Sequence, residues 1–175
     1  VPDHSTIWRF RQALERAGLE EVLLTEINQQ LNEHGLLIRH GSVSIIDASV
    51  IEAQRARPNK NAQGQNTQDP EAAWNVKTAA NGKKTSTYGF KAHINVDEDG
   101  FIKAHDFTAG NIHDSKVFGS LLQIGDQAVY ADSAYASAKH DELLHELGID
   151  NRVLQKGYRN KPLTEAQKAL NRLNS

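Results

Sequence analysis

No cysteine occurs among the 175 residues, which excludes disulfide frameworks, thiolate zinc sites and cysteine nucleophiles together. No apolar run approaches the ~20 residues that cross a bilayer, and no charged-then-apolar signal is present, so the expectation is a cytoplasmic protein with no membrane partner. Gly-Lys phosphate loops, His-Glu-x-x-His and Gly-x-Ser-x-Gly are missing too. Nucleotide hydrolysis, zinc proteolysis and esterase chemistry therefore lack support. Eight histidines are present, but their spacing fits no ligand pattern, and His140 with His145 reads as helix surface. Proteins that coat nucleic acid are usually strongly basic, whereas the formal net charge here is −2.

The charges are unevenly distributed, and that reopens nucleic acid as a partner. Between Gln54 and His93 seven basic residues (Arg55, Arg57, Lys60, Lys77, Lys83, Lys84, Lys91) stand against Asp69 and Glu71, a balance of +5. Between Asp97 and Asp150 eleven acids face only Lys103, Lys116 and Lys139, a balance of −8. An acidic stretch able to hold metal beside a basic stretch able to meet phosphates suits an enzyme of nucleic acid; solvated loop and helix faces account for part of the same charges. The length allows one domain with a real core and a short appendage.

The first 35 residues read as helical. Asp3, Ser5 and Thr6 offer capping oxygens ahead of Ile7, Phe10 and Leu14, with Gly18 as the stop. Leu19, Val22, Leu23, Ile27 and Leu31 form a second stripe, closed by Gly35. The period then changes. Ser42 to Ala48 is β-branched and apolar, a first strand, and residues 54 to 87 lose all period, which predicts a solvated, mobile insertion. Phe90, Ala92, Ile94 and Val96 alternate with Lys91, His93, Asn95 and Asp97, a half-buried strand that turns at Asp99-Gly100 into Phe101 to Thr108. Asn111 with Asp114 predicts a helix start before Val117, Phe118, Leu121 and Leu122. Then come a strand at Ala128 to Ala131, a helix from Lys139 to Leu147, and a strand near Asn151 to Leu154. A last helix, capped by Thr164 and Gln167, turns Leu163, Ala166, Leu170 and Leu173 inward. That order specifies a mixed α/β sheet with helices on its faces.

Two aspartates close short apolar strands 85 positions apart, Asp47 in SVSIIDAS and Asp132 in QAVYADSAY. Carboxylates held at the ends of neighbouring buried strands can clamp divalent metal for phosphodiester chemistry; Mg²⁺ and Mn²⁺, hard cations, prefer such oxygens. Taken singly, each aspartate reads first as a turn or helix cap. The two motifs, the intervening string YGFKAHINVDEDGFIKAHDFTAGNIHDS over residues 88 to 115, and the opening PDHSTIWRFRQAL together resemble the bacterial insertion-sequence DDE transposases. The likeness is to the group around insertion sequence five, within the superfamily named for insertion sequence four.

That resemblance implies a ribonuclease H-like fold, with residues 1–40 as the tail of an N-terminal helical domain and 41–175 as a catalytic core lacking its C-terminal end. It implies that Asp47 and Asp132 are the first two acids of the DDE set, with Mg²⁺ or Mn²⁺ as cofactor. The partners implied are the terminal inverted repeats, target DNA and a second copy in a homodimer. The family's third acid, a Glu on a long helix, has no counterpart here. Glu165 sits in a first helical turn, where the dipole favours an ordinary acid. A transposase core lacking that acid and a catalytically defective remnant that still binds DNA or full-length transposase both stay open, as does a general ribonuclease H-like nuclease. His113 is a further catalytic candidate, able to order water or touch phosphate. Asp114 reads as a helix N-terminal acid or a site acid. Arg55, Arg57, Lys83, Lys84 and Lys91 are candidate DNA contacts, with Lys91 and His93 read on the polar face of their strand.

Overall fold

The computed structural model describes residues 2–36, 42–54, 59–79, 81–158 and 160–175. Its backbone contacts separate two units, Val1–Arg39 and His40–Ser175.

The first unit holds α1 (His4–Ala17) and α2 (Glu20–Glu33). Asp3 caps α1 by accepting the Thr6 N–H at 2.7 Å, and Gly18, at φ 61°, ends it in the left-handed conformation that glycine adopts without penalty. Ile7, Phe10, Val22 and Ile27 lie exposed.

The second unit is built from β1 (Val43–Glu52), β2 (Ala73–Thr78), β3 (Lys84–Val96), β4 (Ile102–Ala109), a 3₁₀ turn (Asp114–Lys116), α3 (Phe118–Leu121), β5 (Ala128–Ala131), α4 (Ala138–Glu146), β6 (Asp150–Asn151) and α5 (Glu165–Asn174). Six strands form one mixed sheet in the order β2-β3-β1-β5-β6, with β4 also pairing β3. β1 runs antiparallel to β3 and parallel to β5. This sheet with its flanking helices is the arrangement of a ribonuclease H-like fold.

One face of the sheet carries the core. Ile46 and Val129 pack there with Val117, Phe118 and Leu121 from the turn and α3, Leu144 from α4, and Tyr135, Ile149 and Val153. The polar alternation of β3 points into this same face, which corrects the expectation that Lys91 and His93 stand on a solvated side. Lys91, His93, Asn95 and Asp97 are all buried, while Phe90, Ala92, Ile94 and Val96 are only half-buried on the opposite face. The physical reason is hydrogen bonding: these side chains hold the chain that crosses the sheet. Lys91 donates to the Ile112 carbonyl and to Asp114, each at 2.7 Å; Asn95 donates to Ser44 Oγ and to the Leu121 carbonyl. A buried polar group is tolerated when bonded in this way.

Residues 54–87 are not the structureless insertion expected. They contain β2 and the start of β3, joined by a turn in which Gly82 takes φ 78° and Asn81 accepts the Lys83 N–H. Upstream, the Tyr88 hydroxyl donates to the Asp69 carbonyl and accepts from Asn66, so the chain near 66–69 is tied down over β3. Gly89 marks a tight crossing, since a Cβ there would collide with the Ile51 carbonyl oxygen. No other residue fits there without moving the backbone.

Three smaller expectations are also corrected. His113, not Asn111, caps the turn before α3, its ring accepting the Ser115 N–H. His140 is buried rather than on the helix surface, its ring stacked on Phe118 with centroids 4.4 Å apart. α5 has the expected capping box, but Leu170 and Leu173 are exposed and none of its residues is buried.

Candidate active site

β1 and β5 bring the two sequence-marked aspartates together. Their parallel register pairs Val43 with Ala128, Ser44 with Val129, Ile45 with Tyr130 and Ile46 with Ala131. The last paired rung is Ile46 with Ala131, and Asp47 and Asp132 are the residues that follow it on each side.

Local sequence explains why both are presented to solvent. Ile46 is buried, and the two-residue period of β1 turns Asp47 to the open face, where it is exposed and its Oδ1 accepts the Ala48 N–H at 2.8 Å. Asp132 stands just past the end of β5. Its Oδ1 accepts the Ala134 N–H at 2.7 Å and its carbonyl accepts the Tyr135 N–H at 3.1 Å, a turn that fixes the carboxylate's direction. Upstream of β5 a buried ion pair anchors the chain: Lys103 Nζ lies 2.5 Å from Asp126 Oδ1 and also donates to the Val43 carbonyl and Ser44 Oγ. Since β4, β1 and the loop entering β5 all meet at Lys103, that lysine helps hold β5 in register with β1.

Two further groups lie on the core side of the sheet. Asp114 forms an ion pair with Lys91 at 2.7 Å. Tyr135 is buried, and its hydroxyl has no hydrogen-bond partner among the described residues. Burial pushes this phenol above its ordinary range, and the carboxylates of Asp114, Asp47 and Asp132 raise it further. His93, also buried, is held below the usual imidazole range chiefly by loss of solvent, with Asp114 opposing. His113 is exposed, and its Nδ1 shares a 2.8 Å hydrogen bond with Ser115 Oγ.

The carboxylates of Asp47 and Asp132 are exposed, and oxygen donors of this kind suit a hard divalent cation. Among the described residues no group of three or more His, Cys, Asp or Glu side chains that could hold a metal ion assembles.

The candidate DNA contacts divide. Lys83 and Lys84 are exposed where β2 turns into β3, with Lys77 exposed nearby. Lys91 is buried against Asp114 instead of facing solvent. Arg55 and Arg57 lie outside the described residues.

Sequence reasoning passed over Tyr135, Lys103 and Asp126. The signal for Tyr135 was its place three residues after Asp132; Lys103 and Asp126 are 23 residues apart and leave no local pattern.

Comparison with known proteins supplies the last observations. The family profile described as "Transposase DDE domain" matches residues 39–175. A curated relative from Neisseria meningitidis serogroup B, "Transposase for insertion sequence element IS1106", is 31% identical over 178 aligned residues. The alignment covers 94% of this chain and 59% of that relative's length. No solved structure matches significantly. Among the described residues no helix is long and apolar enough to cross a membrane.

Proposed function

The chain belongs to the transposase DDE domain family, and from that premise we propose that it carries the metal-binding aspartates of an insertion-sequence transposase. Divalent metal is in general use across this family. In this reading Asp47 and Asp132 hold Mg²⁺ or Mn²⁺, which when bound activates water for cutting at the element's ends and stabilises charge as the freed 3′-hydroxyl joins target DNA. The supporting observation is the β1–β5 register, whose last rung, Ile46 with Ala131, is followed on each strand by one of two acids 85 positions apart. DNA is the partner, met by the exposed lysines of the β2–β3 turn, and the working assembly is a homodimer on paired ends.

A second reading has one specific observation in its favour. No group of three or more candidate metal-holding side chains assembles among the described residues, which fits a chain that folds and binds DNA or full-length transposase without cutting. The test is plasmid cleavage in Mg²⁺ by a longer protein in which this chain is followed by a helix carrying the family's third acid. Metal-dependent cleavage lost in Asp47→Ala and in Asp132→Ala supports the catalytic reading. Cleavage indifferent to both substitutions overturns it. Absence of cleavage together with retained end-DNA binding supports the second reading.

A further inference from the structure

A groove of about 470 Å³ opens beside β2, lined by Lys60, Gly64, Gln65, Asn66, Pro70 and Trp74. One wall is an indole left 43% exposed, although tryptophan usually buries most of its large ring. That ring is nevertheless held in place, its centroid 5.4 Å from the ring of the buried Tyr88. The Tyr88 hydroxyl gives its one proton to the Asp69 carbonyl and accepts from Asn66 Nδ2. This fixes which way the Asn66 amide faces and leaves its Oδ1 without a partner among the described residues. Gln65 Oε1 accepts from Asn61 Nδ2, so Gln65 Nε2 is left to donate. Lys60 forms no ion pair among the described residues. The backbone behind these side chains is closed by the Asn61 N–H on the Gln65 carbonyl at 2.8 Å and the Thr67 N–H on the Asn59 carbonyl at 2.9 Å, so the groove is preformed.

An exposed aromatic face, an amide acceptor, an amide donor and an unpaired cation answer the parts of a nucleotide, whose base stacks, whose edge bonds and whose phosphate carries charge. We propose that this groove takes an unpaired nucleobase of a DNA strand, stacked on Trp74, with Asn66 and Gln65 at the base edge and Lys60 on the phosphate. The sheet register supports a strand over a free nucleotide. Trp74 pairs with Tyr88 and Thr78 with Lys84, so the exposed Lys84 shares the face of the indole and stands roughly 13 Å from it along the strands. Asp47 pairs with Ile94, an even number of residues from Tyr88 on β3, and so lies on that same face. Base groove, lysine and candidate metal ligand thus share one side of the sheet. The proposal rests on the reading of DNA as the partner given above.

The experiment uses the full chain carrying Trp8→Phe, so that Trp74 is its sole indole. Without divalent metal, this parent and its Trp74→Leu and Trp74→Phe derivatives are titrated with a labelled single-stranded oligonucleotide, the blunt duplex of the same sequence, and thymidine monophosphate. Anisotropy reads affinity for the two DNAs, and indole emission reads stacking. We expect the single strand to quench Trp74, Trp74→Leu to bind it about tenfold more weakly with duplex binding unchanged, and Trp74→Phe to keep most of the affinity. Unchanged single-strand affinity in Trp74→Leu, or equal losses on single strand and duplex, overturns the base groove and leaves DNA as the partner. Thymidine monophosphate bound as tightly as the strand assigns the groove to a free nucleotide and overturns it too. No binding of either DNA by the parent overturns this proposal and the DNA reading together. Should Trp74→Leu fail to fold, the parent decides: emission quenched by saturating single strand supports the proposal, and unmoved emission overturns it.

Discussion

At the scale of single residues, burial and not polarity decides what the side chains of β3 do. His93 is fully buried, its Nε2 2.9 Å from Thr108 Oγ1 and its Nδ1 without a partner among the described residues. Desolvation lowers its pKa, so the folded protein resists taking up the proton that an unfolded chain accepts near pH 6.5. The sign follows: the unfolded state binds more protons below about pH 6.5, and stability falls as pH drops through that value. Above it His93 is neutral in both states and contributes no slope. Urea denaturation at pH 7.5, 6.5 and 5.5 should show this loss in the parent and a shallower one in His93→Gln. Equal slopes in the two proteins would mean that His93 protonates freely in the fold. The exposed Lys83 and Lys84 offer the contrasting case. Replacing both by Ala should weaken duplex binding at every sequence and reduce the slope of log affinity against log salt by about 2, read by fluorescence anisotropy. An unchanged slope removes the β2–β3 turn from the DNA interface.

At the scale of elements, the register of β5 on β1 depends on a buried pair that no local pattern announces. Lys103 and Asp126 side chains are 3% and 0% exposed. Removing one partner of such a pair strands a charge in the interior, so Lys103→Met should cost about 3–5 kcal/mol in denaturant unfolding, and adding Asp126→Leu should recover much of it. A loss below about 1 kcal/mol would place the pair in effectively solvated surroundings. The same elements show what the sequence made legible. β5, α4 and the α5 capping box follow from short-range signals, an apolar run and hydroxyl caps, and fall where expected. β2 was invisible because Ala73 to Thr78 has no strict alternation and is stabilised by pairing with β3 rather than by its own pattern. The face of β3 was misread because alternation reports two faces without saying which is covered. Here the polar one is covered, since Lys91 and Asn95 bond the loop and α3 laid across it. Asp132 was legible as a strand-end acid, but Asp47 lies in mid-strand, because β1 runs on to Glu52 in its pairing with β3, beyond the apolar run that marked it in the sequence.

At the scale of the whole molecule, the candidate site offers two exposed carboxylates, Asp47 on β1 and Asp132 just past β5, and no group of three or more candidate ligands assembles among the described residues. The chain spans 59% of the curated relative's length. Two metals in a phosphodiester site need both to be held while attack and departure proceed in line, and parts that act as one unit fail together when one is missing. A chain offering two ligands should therefore bind Mn²⁺ weakly and cut DNA slower than a three-acid protein by about 10³-fold or more, not by a third. The measurement is single-turnover nicking of a duplex carrying the element's end, in Mg²⁺ and then Mn²⁺. This chain is set beside a longer protein in which a helix with the family's third acid follows it. End-DNA binding should survive in the short chain, since the exposed lysines of the β2–β3 turn are present and do not depend on the metal. Robust metal-dependent nicking by the short chain, abolished by Asp47→Ala, would show that a third ligand is already at hand, and Asp114, released from Lys91, would be the first acid to test by Asp114→Asn.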